Sequence, residues 1–451
     1  MEQRAEFFLN RLFQGWQRSG VQYAVMRNYE GLPSSIKGTD LDILINAADQ
    51  ELAVELLMSA IYDSGGCVVG SCTSRRFYKV VAYGRSPGRD AWWGACIDLF
   101  FGLVYNGNVD LLSDGQIKEI SVIHNGIAVI PPGLAGVIGA LKELLHNSKL
   151  PERYAVEAAE AFRVKPELIE QSLNPMGSRA QAFLRDLCVE DGEVSSLNRA
   201  CRDLRTAVMV HAFRRAPLRF VCRRLSHDLS KVRRFLRPPG LMIAVLGADG
   251  AGKSTVIDAI APLLDQATHG VFYRKHLRPG FLPALGRLRG NKMNGPPVTD
   301  PHASASAGWI GSLIRIVWLW LDYVVGYWFV VRPKVSKAPA VVLFDRYAPD
   351  VSLDPRRFRL GLPKKLLRLF PRIVPSPDII ICLHGHPEEV AARKNELPVQ
   401  EVRRQTDALK DFAYKTPNAV LVSTEGSLEE TTGAVLSTLR TFLLERDRGG
   451  R

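Results

Sequence analysis

Leu241-Met242-Ile243-Ala244-Val245-Leu246-Gly247-Ala248-Asp249-Gly250-Ala251-Gly252-Lys253-Ser254-Thr255 decides how the second half of this chain is read. Six apolar residues in a row fit a buried parallel strand covered on both faces. They run into G-x-x-x-x-G-K-S, and Val256-Ile257 and Ala259-Ile260 continue at helical spacing. Strand, glycine-rich turn and helix in that order make a cradle for an anion. The glycines let the backbone aim its N–H groups inward, and the start of the helix adds partial positive charge. In such a loop Lys253 reaches β- and γ-phosphates, and the Ser254 hydroxyl suits Mg²⁺. Gly247, Gly250, Gly252, Lys253, Ser254 and Thr255 are the expected nucleotide contacts.

Working outward, 451 residues exceed one ordinary core, so two or three domains are expected. A net charge of +13 favours polyanionic partners such as nucleotides, phosphorylated glycans, nucleic acid or an anionic membrane face, although no specific nucleic-acid motif appears. Seven scattered cysteines without a C-x-x-C pair argue against zinc and for reduced, mostly buried thiols in a cytoplasmic protein. The charged start Met1–Glu6 lacks the apolar core of a signal peptide. Trp309 to Val331 is long and apolar enough for a membrane span, yet Arg315 and Asp322 lie within it on one face. The expectation is a central helix packed in protein, its two charges paired with each other or turned towards the site.

A helix over Glu2–Ser19, with Phe7, Phe8, Leu12 and Trp16 on one stripe, opens the chain. Strand-like runs follow at Val21–Met26, Leu41–Ile45, Cys67–Val69, Phe77–Tyr83 and Ala95–Phe101, with a helix over Glu51–Ser64. Residues 1–131 read as one α+β domain. Residues 132–237 read as a helical region closing on the basic run Arg214–Arg237, which is either a solvated linker or a contact for an anionic membrane or glycan machinery. Pro238-Pro239-Gly240 marks the next boundary, and residues 238–451 alternate strand and helix as a parallel sheet wrapped by helices does.

In that last domain, Val341–Phe344 is a second buried strand ending in Asp345-Arg346-Tyr347. An acid at the carboxyl end of a neighbouring strand is placed to hold Mg²⁺, and Arg346 beside it to grip an acceptor phosphate. Arg393, Lys394, Arg403 and Arg404 are candidates for a mobile, cationic flap. His384 and His386 have no third ligand at metal spacing and read as structural or solvent-facing.

These residues resemble the thymidylate kinase family of nucleoside-monophosphate kinases from about Pro239 onward, just under half the chain. The resemblance rests on Gly247-Ala248-Asp249-Gly250, Asp345-Arg346-Tyr347, the strand before Arg393, and Val422-Ser423-Thr424, where adenine rests in that family. It implies a P-loop kinase-type α/β fold that uses ATP and Mg²⁺. Lys253 and Ser254 would serve the nucleotide, Asp249 and Arg346 the acceptor, and Arg393 the lid. Asp354-Pro355-Arg356-Arg357-Phe358-Arg359 departs from that pattern, so the acceptor stays open between dTMP and another phosphorylated or acidic compound.

Near the other end, Gly38-Thr39-Asp40-Leu41-Asp42 places Asp40 and Asp42 on one strand face, and Asp98 sits on another strand-like run. Carboxylates so close repel unless a cation lies between them, and three acids on adjacent strands suit metal-assisted attack on an α-phosphate. Residues 1–131 resemble the polymerase-β-type nucleotidyltransferase fold, with Arg27-Asn28 where that family has Gly-Ser. Arg27 then either binds phosphate or marks a module that has lost transfer. Together the halves resemble fusion proteins of bacterial surface-polysaccharide pathways. Three readings stand: a phosphotransferase, a nucleotidyltransferase acting on a sugar, phosphosugar or protein, and an ATP-binding scaffold without catalysis.

Overall fold

The computed structural model describes residues 5–36, 40–88, 91–112, 117–189, 194–283, 308–394 and 397–449. Gly38-Thr39 and Asn395-Glu396 lie outside these. The chain divides into two compact units, one of Met1–Cys67 and Ser71–Arg233, the other of Val68–Gly70 and Arg234–Arg451.

The first unit carries a mixed sheet of seven strands: β1 (Tyr23–Val25), β2 (Leu41–Ile45), β3 (Gly66–Ser74), β4 (Phe77–Arg85), β5 (Trp92–Phe101), and later β8 (Val122–His124) and β9 (Ile127–Val129). Their order is β3-β4-β5-β2-β1-β9-β8, and β6 (Val104–Tyr105) pairs separately with β7 (Val109–Asp110). The parallel β2–β5 pair sets Asp42 directly opposite Asp98. The opening helix runs Glu6–Arg18 and buries Phe8, Leu9, Leu12, Phe13 and Trp16. Phe7, expected on that stripe, is instead exposed; at 100° per residue it points away from the face that Phe8 and Leu12 define. Phe8 stacks on Trp93 at 4.8 Å, and the Trp16 indole N–H donates to the Ala53 carbonyl at 3.1 Å. The β8–β9 hairpin escapes the pattern of apolar runs because each strand has three residues. Its signal was Asn125-Gly126, both at positive φ, a pairing that favours a two-residue hairpin turn.

Helices Pro132–Asn147, Glu152–Val164, Ser178–Val189 and Val194–Arg215 share one core with this sheet, in which Leu141, Leu144, Leu184 and Leu204 meet Ala24 and Leu44. The following helix, Pro217–Leu236, is turned the other way round. Leu218, Val221, Leu225, Leu229 and Val232 are exposed, while Arg223 is buried.

The second unit is a parallel sheet in the order β11-β12-β10-β13-β14. Its strands are β10 (Leu241–Gly247), β11 (Phe272–His276), β12 (Val341–Asp345), β13 (Ile379–His384) and β14 (Ala419–Ser423). Every residue of β10 and β12 is buried, as a central parallel strand requires. After β10 the chain builds β11 and β12 on one side and then β13 and β14 on the other. The loop leaving β10 therefore opens where the winding reverses, the place where α/β sheets bind ligands. Helix Lys253–Thr268 packs Val256, Ile257, Ile260 and Leu264 beneath it, each worth roughly 1.5–3 kcal/mol of burial.

Helix Trp309–Gly326 departs from expectation. Ser312, Ile316, Asp322, Tyr323 and Gly326 form a buried face, but Trp309, Ile310, Ile314 and Val317 are exposed among the described residues. Asp322 lies on the buried face. The fully buried carboxylate accepts from the Leu282 N–H at 2.6 Å and the Gly280 N–H at 3.2 Å, and lies 3.3 Å from Arg278. The loop after β11 neutralises it, as burial of a charge demands.

Candidate functional site

The G-x-x-x-x-G-K-S turn owes its shape to two glycines. Gly250 has φ +88° and Gly252 φ +79°, and a Cβ at Gly250 would overlap the Val390 carbonyl oxygen. Gly252 caps the helix in the left-handed conformation, so the first helical N–H groups face the loop interior. We expect Gly250→Ala to destabilise this unit by about 1–3 kcal/mol and to weaken nucleotide binding with it; thermal melts with and without MgATP check both.

Lys253 is buried, its Nζ donating to the carbonyls of Gly247 at 3.0 Å and Ala248 at 2.7 Å. Burial, with Arg346 close by, pushes its ammonium down to about 7. The pairing of β10 with β12 sets Val245 beside Asp345, so the Ser254 hydroxyl lies 3.4 Å from the Asp345 carboxylate. Two hard oxygen donors facing each other suit a Mg²⁺ ion. Thr255 follows on the same helical turn and is exposed.

Asp249 and Arg346 meet across this space. Arg346 has φ +72°, a strained conformation for a non-glycine residue and one that clusters at working sites. Its Nη2 donates to Asp249 and its Nη1 to Asp350 at 2.6 Å, so the guanidinium is held between two carboxylates. Arg357 donates to the second oxygen of Asp249. Burial raises the Asp249 carboxyl, but Arg346, Lys253 and Arg357 outweigh it and hold the group down at about 2. Arg274 reaches both Asp258 and, at 3.4 Å, Asp345. Arg357 belongs to the arginine cluster seen in the sequence; Asp350 and Arg274 carried no motif, and Asp350 joins the site four residues after Arg346 while Arg274 joins it through the β11–β12 register.

Arg393 stands apart from these residues. It is exposed, donating to the Thr424 carbonyl at 3.3 Å with Glu389 3.8 Å away. Arg403 pairs with Glu388 and Arg404 with Glu401. His386 faces Glu425 at 3.7 Å.

In the first unit, Asp40, Asp42 and Asp98 offer carboxylate oxygens all within 4.8 Å of one another. Arg27 stands against two of these acids. It donates to Asp42 at 2.6 Å and to Asp40 at 3.3 Å, because two carboxylates on one strand face draw in the nearest cation. Lys79 donates to Asp98 at 2.8 and 3.0 Å, and Lys142 lies 3.8 Å from Asp42. Burial, aided by Asp42 and Asp40 and opposed by Lys79, pushes Asp98 up to about 6. One oxygen, Asp42 Oδ1, is buried without a hydrogen-bond partner.

Fold and loop define the second unit as a parallel α/β domain with a glycine-rich loop and an acid at the end of the adjoining strand. Over 158 residues, 35% of this chain, the sequence is 30% identical to a thymidylate kinase of Xanthomonas campestris pv. campestris (strain B100). A thymidylate kinase of Xanthomonas oryzae pv. oryzae (strain PXO99A) matches over the same length at 28%. The chain spans 62% of the length of these relatives. Among solved structures, a thymidylate kinase from Ehrlichia chaffeensis is covered in full by 45% of this chain, at 16% identity and a TM-score of 0.32. No family model matches the chain.

Proposed function

We propose that the second unit is an ATP- and Mg²⁺-dependent phosphotransferase acting on a nucleoside monophosphate or a related phosphorylated acceptor. The observation that carries this reading is the gathering of Lys253, Ser254 and Asp345 with Asp249, Arg346 and Arg357 about the one loop. The likeness to thymidylate kinases supports the same class. Lys253 and the loop N–H groups would hold the triphosphate; Ser254 and Asp345 would hold Mg²⁺, which neutralises charge on the transferring group. Asp249 stays ionised at neutral pH and accepts a hydrogen bond from the acceptor, while Arg346 fixes its direction by bracing it against Asp350. Arg357 adds positive charge on the acceptor side. Arg393 serves a lid only by leaving Thr424. The test is transfer of labelled γ-phosphate from ATP to dTMP, other nucleoside monophosphates and phosphosugars. Labelled product with one of them supports the reading, and a full panel without product, from protein that binds MgATP, rejects it.

A second reading concerns the first unit, a nucleotidyltransferase-like domain acting on a sugar, phosphosugar or protein. The buried, unpaired Asp42 Oδ1 among three carboxylates favours it, since that oxygen lacks any partner a metal would not supply. Asp42→Asn is expected to stop nucleotide incorporation and leave the other unit's ATP binding untouched. Unchanged incorporation would set this reading aside.

We also propose that the helix Pro217–Leu236 lies on an anionic membrane surface of the cytoplasmic face. Its exposed stripe is apolar, and Arg219, Arg224, Lys231 and Arg233 flank it. That is the pattern of an interfacial helix. Leu225→Glu with Leu229→Glu leaves every basic residue in place. We expect it to abolish co-sedimentation with vesicles containing phosphatidylglycerol, whereas undiminished binding would leave charge alone responsible.

A further inference from the structure

Behind the basic helix lies a pocket of about 290 Å³, at the lower edge of the volumes that hold small molecules. It belongs wholly to the first unit, whereas the glycine-rich loop belongs to the second. Arg76, Arg215, Arg219 and Arg223 line it, with Asn108 and a single acid, Asp110. Asp110 acts as a brace. It accepts from Arg223 Nη1 at 2.9 Å and lies 3.9 Å from Arg76 Nη2. Arg76 also donates through Nη1 to the Phe101 carbonyl at 2.9 Å, so its direction is fixed from two sides.

What remains of Arg223 is informative. The residue is 6% exposed, yet its Nε and Nη2 have no hydrogen-bond partner. Those two nitrogens form the side-on edge of the guanidinium, the fork that takes two oxygens of a phosphate or carboxylate at once. Asn108, 3% exposed, likewise leaves both its amide nitrogen and its oxygen unpaired. Buried donors in that number are rarely left without a partner. Four arginines against one carboxylate also leave the pocket with an excess of positive charge.

We infer that this pocket binds the phosphate group of a small phosphorylated molecule, held bidentately by the free edge of Arg223 and by the amide of Asn108. Arg215 and Arg219 are exposed at its rim and would meet further anionic oxygens. Guanidinium planes favour phosphate over a spherical anion such as chloride. The Asn108 oxygen adds an acceptor for a hydroxyl of the same ligand.

Pyrophosphate is the probe, titrated calorimetrically into the full chain carrying Lys253→Ala, so that the glycine-rich loop contributes little. One binding event is expected, with chloride at equal ionic strength failing to compete. Arg223→Lys, which keeps the charge and loses the fork, should weaken it at least tenfold. Arg219→Gln, at an exposed position that leaves folding intact, should weaken it three- to tenfold. An unchanged affinity in Arg219→Gln together with Arg223→Lys, or no heat at all in the Lys253→Ala chain, overturns the assignment. Should Arg223→Lys fail to fold, Arg219→Gln alone decides: weakened binding supports the pocket and unchanged binding refutes it.

Discussion

Lys253→Ala is expected to lower ATP-dependent phosphoryl transfer by about 10³-fold or more, the order lost when one preorganised charge donor is removed from a closed site. The side chain is already gathered into the loop, donating to the carbonyls of Gly247 and Ala248. Burial has cost its ammonium part of its affinity for the proton, and a bound triphosphate restores that affinity by supplying the counter-charge. The truncated variant keeps the backbone cradle and therefore its fold. A melting temperature within a few degrees of wild type, with transfer lost, separates this chemical role from a structural one. Transfer at wild-type rate in the variant would place the chemistry elsewhere in the chain.

Arg346→Ala is expected to have the largest effect on stability. The guanidinium is 5% exposed and joins Asp249 to Asp350, two carboxylates that are themselves nearly buried. Removing one partner of a buried pair leaves uncompensated charge at a cost of about 3–5 kcal/mol. In a unit of this size that lowers the melting temperature by roughly 10 °C. Arg346→Lys retains a charge but cannot fork between two carboxylates, so it should recover only part of the loss. Differential scanning calorimetry of both variants checks this. If Arg346→Ala melted with wild type, the Asp249–Arg346–Asp350 chain would carry no structural weight.

The parallel sheet was legible because its strands are uniformly apolar and its loop has a fixed glycine spacing. Both are local signals, and β10 with its following helix lies where they point. The Asp42–Asp98 juxtaposition depended on the β2–β5 register, yet alternation along each strand already placed the acids on a face. Other features were beyond local reading. Arg274 reaches the site only through the pairing of β11 with β12, strands far apart in sequence, and no motif marks it. The Asp322 partner lies on the loop after β11, 44 residues away in sequence, and helical spacing within Trp309–Gly326 could not reveal it. The outward apolar stripe of Pro217–Leu236 has the same periodicity as an inward one. Amphipathicity fixes that two faces exist, not which of them meets the protein.

The central claim is that the loop from Gly247 to Lys253 holds a triphosphate whose metal sits between Ser254 and Asp345. Calorimetric titration of the full chain with ATP, with and without Mg²⁺, tests it most directly. The account predicts a single site, tighter with Mg²⁺ in wild type, with that Mg²⁺ dependence removed by Asp345→Asn. Equal affinity with and without the metal in wild type, or no binding at all by folded protein, would contradict it.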